Sequence, residues 1–393
     1  MVRPCSTMVD AARRYPVLVL ALLTGFGPIS TDMYLPALPT LRSEFGTDID
    51  GVQWTLSAFL LGFAVGQLLY GPLSDRFGRR PAALIGLALY TLASLACALA
   101  PSIEVLIAAR VVQAIGACAG PVLGRAIVRD LHEPASAAKL LSLLAMVMAL
   151  APAIGPIIGA GLLGIAGWRA IFVALAVVGA GVWGWVALLP ETNHRRDPSA
   201  INPTRMVANA AQLWRHQGYR RNVLAVACSY SALFCFISLS SHVMIDGFGA
   251  SPTVYALMFA TVVTGYATGA FLSVRLTVRF GAARLVRIGT RGTVLAATAM
   301  LACAGLGLGA WSIAGVMALF MIAVGMVLPN AMAGAVGPFP TMAGTASAVL
   351  GATQFLAAAV VGLAAAALTD VAGVVMAAAI LLAVLPPLVK PVR

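Results

Sequence analysis

The chain has 393 residues, of which 61% are hydrophobic and 10% charged, and its net charge is +12. Soluble domains average about 25% charged residues, so a water-soluble globule is excluded and the class is a polytopic membrane protein. Neither of the two lysines, Lys139 in Ala-Lys-Leu and Lys390 in Val-Lys-Pro, sits in a Gly-Lys-Ser/Thr phosphate loop, so ATP hydrolysis by this chain is excluded too.

The first apolar run follows Arg13 and Arg14. It is too long for a signal-peptide core and many similar runs come after it, so it reads as an uncleaved first span. Its sequence, YPVLVLALLTGFGPISTDMYLPALPTL over 15–41, holds a single charge, Asp32. A span needs about 20 apolar residues. Twelve stretches qualify: 16–37, 51–73, 81–100, 103–127, 138–163, 168–190, 221–244, 252–274, 285–307, 311–333, 342–367 and 371–389.

With the amino terminus placed in the cytoplasm, 22 of the 25 Lys and Arg fall in inner segments; Arg42 and Arg169 lie outside and Arg110 within a span. Positive charge marks the cytoplasmic side. The expectation is a multi-pass protein of the cell (inner) membrane with both termini cytoplasmic. The bias also explains the basic charge without nucleic acid as a partner. Trp54, Trp168 and Trp311 fall at predicted outer span ends, and Trp183 and Trp185 near an inner one, as an aromatic belt would. The six cysteines form no C-x-x-C pair and mostly sit in apolar runs, where they read as small core hydrophobes. Four scattered histidines give no metal-ligand spacing.

The longest polar break divides the chain into a first six-span half (1–190), a cytoplasmic linker (191–218) and a second six-span half (219–393). Met206, Val207, Ala210, Leu213 and Trp214 in the linker mark a short amphipathic helix, suited to the inner membrane surface. LSDRFG (73–78) returns as LTVRFG (276–281) after 203 residues, at the same point of each half. The predicted fold class is therefore an all-α membrane protein, twelve transmembrane helices in two six-helix bundles related as a repeat.

GPLSDRFGRRP (71–81) combines a small residue for close helix approach (Gly71), a carboxylate that can face an arginine or a helix N-terminus (Asp75), the turn glycine Gly78, and the basic anchors Arg76, Arg79 and Arg80. It resembles the signature loop of the major facilitator superfamily. RVVQAIGACAGPVLGRAIVRD (110–130) resembles the fourth-span motif of proton-coupled members, with Arg110 and Gln113 as its polar pair; Arg129 and Asp130, at its end, are grouped with the gate loop. APAIGPIIGAG (151–161) resembles the fifth-span motif of drug antiporters, in which Gly155 and Pro156 bend the helix and Gly159 lets it pack closely. STDMYLPALP (30–39) and GTASAVLG (344–351) resemble the Bcr/CflA-type group, which exports bicyclomycin, chloramphenicol-like and other drugs. The resemblance covers essentially the whole chain. Ala114 and Ala160 replace glycines usual in two of these motifs. Thr24 stands where some drug antiporters carry a second acid, so coupling here rests on fewer acids.

No soluble domain and no nucleophile or metal cluster remains for an enzyme, and no ring of polar residues for a channel. The resemblance implies a proton-coupled secondary transporter that exports lipophilic drugs by alternating access, with the proton gradient as its only energy source and no cofactor. Its partners would be a small lipophilic drug, protons and the bilayer, and a monomer is expected. An uptake symporter for a small metabolite is the alternative, and a nontransporting receptor a third. The apolar spans favour a lipophilic cargo over a sugar, whose hydroxyls need partners in a dry site. Asp32 and Arg110 are the acid and base well inside spans, and a central Asp or Arg costs about 2.5–3.5 kcal/mol. Asp32 is expected to carry the proton and compete with drug, with Arg110 close enough to tune it. Tyr34, Gln113, Tyr230, Tyr255, Asn330 and Gln354 are candidates for the substrate cavity, each equally able to bond helix to helix. Glu104, Asp246 and Asp370 are expected in solvent at outer span ends.

Overall fold

Inside a lipid core every backbone N–H and C=O must find its partner within the chain, and a helix does this segment by segment. The computed structural model describes residues 16–193, 196–198, 200–339, 342–366 and 372–384. Arg13, Arg14, Asp370, Lys390 and Arg393 lie outside them.

The first half comprises α1 (Val17–Asp32), the short α2 (Leu38–Phe45), α3 (Ile49–Phe77), α4 (Arg79–Ala98), α5 (Ile103–Leu131), α6 (Pro134–Ala166) and α7 (Trp168–Ala187). A separate helix, α8 (Pro203–Arg215), leads to α9 (Gln217–Ser241), α10 (Pro252–Phe280), α11 (Ala282–Gly305), α12 (Ala310–Val336), α13 (Ala343–Ala366) and α14 (Ala372–Val384). Ten spans among the described residues are long and apolar enough to cross a membrane, α1 and α2 together forming the first. α6 and α14 take the fifth and twelfth places. The lipid-facing surface is aliphatic, as at Ile165, Leu188, Val274 and Leu295.

The two halves pack alike. α1 lies on α5 and α6, α3 on α5, and α4 on α5 and α7; in the second half α9 lies on α12 and α13, α10 on α12, and α11 on α12 and α14. The halves meet through α3 against α13 and, symmetrically, α6 against α10.

The 203-residue repeat explains two of these contacts. An added Cβ at Gly62 would meet the Val111 carbonyl oxygen and one at Gly66 the Cys118 side chain; 203 residues on, Gly265 and Gly269 press in the same way on the Ala318 and Ile322 carbonyls. Bare glycine faces let α3 approach α5 and α10 approach α12 until backbones touch. The repeated turns also match: Gly78 and Gly281 both have positive φ, 108° and 80°, and each closes one helix while opening the next.

Two expectations change. Gly71 has open space rather than a helix beside it, so its role is not close packing. Trp168 is buried, not a belt residue: its Nε1 donates to Glu44 Oε2 (2.6 Å) and its ring packs on Phe45 and Phe172. Trp54, Trp183 and Trp311 remain exposed at span ends. The amphipathic linker helix forms as α8, capped by Asn202, and packs through buried Leu213 on the second half.

Candidate functional site

Asp32 is the last residue of α1. The helix runs unbroken through Pro28 and stops at Asp32; Met33 and Tyr34 turn, Leu35–Ala37 form one 3-10 turn, and α2 restarts at Leu38. Pro36 and Pro39 sit at the starts of those two segments, where a missing N–H costs nothing. Behind the break stands α6. A Cβ at Gly159 would collide with the Met33 carbonyl, and one at Gly155 would crowd the Asp32 Cβ, so both motif glycines hold the α6 backbone against the broken segment.

The Asp32 side chain is 3% exposed and makes no hydrogen bond or ion pair among the described residues. It faces the junction of the halves, with Tyr230 and Tyr255 within electrostatic reach. Tyr230 packs edge-on to Phe355 (5.2 Å between centroids), and Phe355 on Phe63 (4.7 Å). The Tyr255 hydroxyl hydrogen-bonds Ser240 (3.0 Å). A buried carboxylate without a hydrogen-bond partner among the described residues, at a helix break, is costly when charged, so its charge state depends on what surrounds it.

Arg110 does not tune Asp32 by pairing with it. Its guanidinium is fully buried in the first half and stacks over Phe59 (4.3 Å), Tyr34 (4.9 Å) and Phe172 (5.8 Å). Nη1 donates to the Ser30 carbonyl (3.1 Å) and Gln113 Oε1 (2.7 Å), while Nε and Nη2 have no hydrogen-bond partner among the described residues. Gln113 in turn donates to Ser94 (2.8 Å), and Tyr90 hydrogen-bonds Ser30 (2.7 Å). Arg110 thus holds the first span at Ser30 and at the Tyr34 ring, two residues either side of Asp32. The cation–π contacts replace the carboxylate expected from the sequence.

The other candidates divide. Tyr230 and Tyr255 lie within electrostatic reach of Asp32. Tyr34, hydrogen-bonded to Thr55 (2.9 Å), and Gln113 belong to the Arg110 cluster. Asn330 braces α12 to α10 through Ser273 (2.7 Å) and Thr277 (2.9 Å). Gln354 is buried without a hydrogen bond among the described residues. Sequence reasoning missed Phe63 and Phe355, and three hydroxyls on α9, Ser231, Ser238 and Ser241, that are buried without hydrogen-bond partners among the described residues.

At the end opposite the arginine-rich one, Arg42 Nη1 donates to Asp246 Oδ2 (3.1 Å), and His242 Nδ1 lies 2.7 Å from the same oxygen. Asp246 is therefore not simply solvated; it ties the second half to the first. Glu104 is exposed as expected.

At the arginine-rich end, Arg79 bridges Asp75 (2.5 Å) and Asp130 (3.0 Å). The carboxylate of Glu191, unremarked in the sequence, accepts from the backbone N–H groups of Arg79 (2.8 Å) and Arg80 (3.1 Å), capping α4. Gly78 leaves the space it fills: an added Cβ there would collide with Glu191. Arg80 also reaches the Ala187 carbonyl. Asn193 donates to the Ser74 (3.1 Å) and Asp75 (3.2 Å) carbonyls, so the stretch read as linker begins as part of this corner. Arg76 lies over Phe77, and Arg129 bonds the Arg125 carbonyl (3.3 Å).

A family model described as Major Facilitator Superfamily matches residues 20–362. The chain is 30% identical over 347 residues to a "Bicyclomycin resistance protein homolog" of Haemophilus influenzae, covering 88% of this chain and 87% of that one. It is 32% identical over 340 residues to "Multidrug resistance protein D" of Escherichia coli, covering 86% and 85%. Among solved structures, that of a D-xylose-proton symporter superposes with a TM-score of 0.76 at 18% identity, over 96% of this chain and 97% of that one, a likeness of fold alone.

Proposed function

We infer the function from family and site together: the chain belongs to the major facilitator superfamily, and is a membrane transporter rather than an enzyme. Within that frame we propose a proton-coupled exporter of lipophilic drugs, chloramphenicol- or bicyclomycin-like, that works by alternating access. The relatives' names, which include a chloramphenicol resistance protein of Pseudomonas aeruginosa at 31% identity, support the cargo class. The carrying observation is Asp32, buried at the junction of the halves without a hydrogen-bond or ion-pair partner among the described residues. Neutral, it is compatible with the dry, closed junction. Charged, it needs water or a cation. Rocking the halves about the α3–α13 and α6–α10 contacts would hydrate it from one side and then the other, so that it takes up a proton on one side and releases it on the other as drug crosses the opposite way. The arginine-rich end is taken as cytoplasmic, the membrane as the inner one, and the carrier as a monomer driven by the proton gradient.

The test is drug efflux from preloaded cells. Expression of the protein should speed chloramphenicol loss, and a protonophore should abolish the gain. Gradient-driven accumulation inside the cell would replace export by uptake; efflux indifferent to the protonophore would remove proton coupling.

The corner at Asp75 is proposed as the cytoplasmic gate. Asp75→Asn is expected to cut transport several-fold at matched expression and leave drug affinity in detergent nearly unchanged. Its counterpart Val278 is 91% exposed, so Val278→Asp should bring no gain. Parental transport by Asp75→Asn would remove the gate assignment.

A further inference from the structure

A cavity of about 190 Å³ opens between the halves at the arginine-rich end. It is lined from the first half by Gln67, Asp75, Arg79, Arg125 and Arg129, and from the second by Ser347. Asp75 and Arg79 neutralise each other, and Asp130 grips Arg79 further. Arg125 and Arg129 have no such partner: neither makes an ion pair with a carboxylate among the described residues, and they stand one turn apart on α5, within electrostatic reach of each other. Like charges at this spacing oppose helix formation. Gln67 is 6% exposed, and its amide has no hydrogen-bond partner among the described residues. Gly351 of α13 makes its room, since a Cβ there would come within 3.0 Å of Gln67 Oε1.

The balance of charge in the lining is positive. Two guanidinium groups offer donors and no acceptor, the Gln67 amide adds two donors beside its carbonyl oxygen, and the one carboxylate of the lining, Asp75, is already paired with Arg79. A buried amide without a partner among the described residues and two arginines, both exposed to solvent and without a carboxylate partner among the described residues, face one cavity and suit a ligand rich in acceptors and negatively charged; a planar carboxylate or a sulfonate matches the guanidinium fork. The neighbouring walls, Val122, Ala126, Leu141 and Ala348, are apolar, which suits a lipophilic body behind that group.

We propose that this cavity is a binding site for the anionic group of an amphiphilic cargo, held by Arg125 and Arg129 with Gln67. The proposal rests on the drug-export reading and narrows its substrate class to lipophilic acids. It has an energetic corollary. Export of an anion in exchange for an entering proton moves positive charge inward twice per cycle, so the membrane potential drives both legs, at about 2.3 kcal/mol per charge for each 100 mV.

The test uses two radiolabelled probes with the same aromatic skeleton, the anion 1-anilinonaphthalene-8-sulfonate and neutral N-phenyl-1-naphthylamine. Their binding to the full-length protein, immobilised in neutral detergent, is compared with their uptake into proteoliposomes. The parent should bind the anion more tightly than the neutral probe. Raising salt from about 20 to about 200 mM should weaken the anion selectively, a measurement that needs no variant. In the Arg125→Gln/Arg129→Gln protein the anion-to-neutral affinity ratio should fall about tenfold, with Gln67→Leu giving a smaller fall in the same direction. Equal losses for both probes, or a parent without preference for the anion, would overturn the proposal. So would anion binding that is displaced by phosphatidylglycerol and unaccompanied by anion uptake, which would assign the cations to a lipid headgroup. A parent that moves chloramphenicol but not the sulfonate removes this inference alone. One that moves neither drug nor probe removes the export reading with it.

Discussion

Asp32→Asn protein is expected to bind a neutral drug as the parent does and to fail to concentrate it. In vesicles given an imposed pH gradient, uphill accumulation should fall by about tenfold or more, the effect of losing at least ~1.4 kcal/mol of coupling. Downhill exchange of labelled for unlabelled drug should persist. The reason is the isolation of the group. With no hydrogen bond or ion pair on the Asp32 carboxylate among the described residues, removing its charge breaks no brace, and asparagine nearly matches its shape. Only the ability to take and release a proton is lost. Asp32→Glu should keep part of the coupling with a displaced pH optimum, because the extra methylene carries the carboxyl to a different place in the junction. Parental uphill transport by Asp32→Asn would make Asp32 a passive feature and move the coupling acid elsewhere.

Arg110→Met is expected to make the protein more stable and to disable it. The buried guanidinium has two nitrogens without partners and no counter-ion among the described residues. Methionine can fill the space between Phe59, Tyr34 and Phe172, and replacing buried ionic groups by apolar ones of similar volume commonly stabilises by about 1–4 kcal/mol. Thermal unfolding in detergent should therefore move upward. Transport should fall sharply, because the bond to the Ser30 carbonyl and the stacking on Tyr34 hold the broken segment around Asp32. Arg110→Lys should recover transport only in part, since an ammonium lacks the flat face that stacks on the rings. A variant that is less stable, or fully active, would show that Arg110 does not position that segment.

Asp32 was legible because one charge in a long apolar run has few reasons to exist. The twelve-span order, the basic end and the repeated turn at Gly78 and Gly281 were equally visible, since each follows from local composition. Pairing Arg110 with Asp32 failed for a physical reason. Two opposite charges in neighbouring spans invite pairing on paper, but Phe59, Tyr34 and Phe172 supply a face that the sequence does not advertise. Glu191 escaped notice because it acts on backbone N–H groups more than 100 residues away, and nothing in its own neighbourhood marks a cap. Phe63, Phe355 and Gln67 were hidden by their ordinariness: which face of a span meets the other half is a property of tertiary packing. The glycines at 62, 66, 265 and 269 did carry a signal, the same 203-residue offset as the turn motif.

Of the ion pairs between described residues, Arg42–Asp246 joins one half to the other, whereas Arg79 bonds Asp75 and Asp130 within the first half. Both Arg42 and Asp246 reach solvent, with side chains 41% and 28% exposed, and such a pair is worth ~0–1 kcal/mol. One kcal/mol shifts a two-state population by only about fivefold. At this end the ion pair is therefore a detent rather than a bolt. A tight clasp would favour one orientation strongly and slow every turnover by the work of opening it. A weak one leaves the choice of orientation to whatever occupies the junction, which is the condition for cargo and proton, rather than the scaffold, to set the pace.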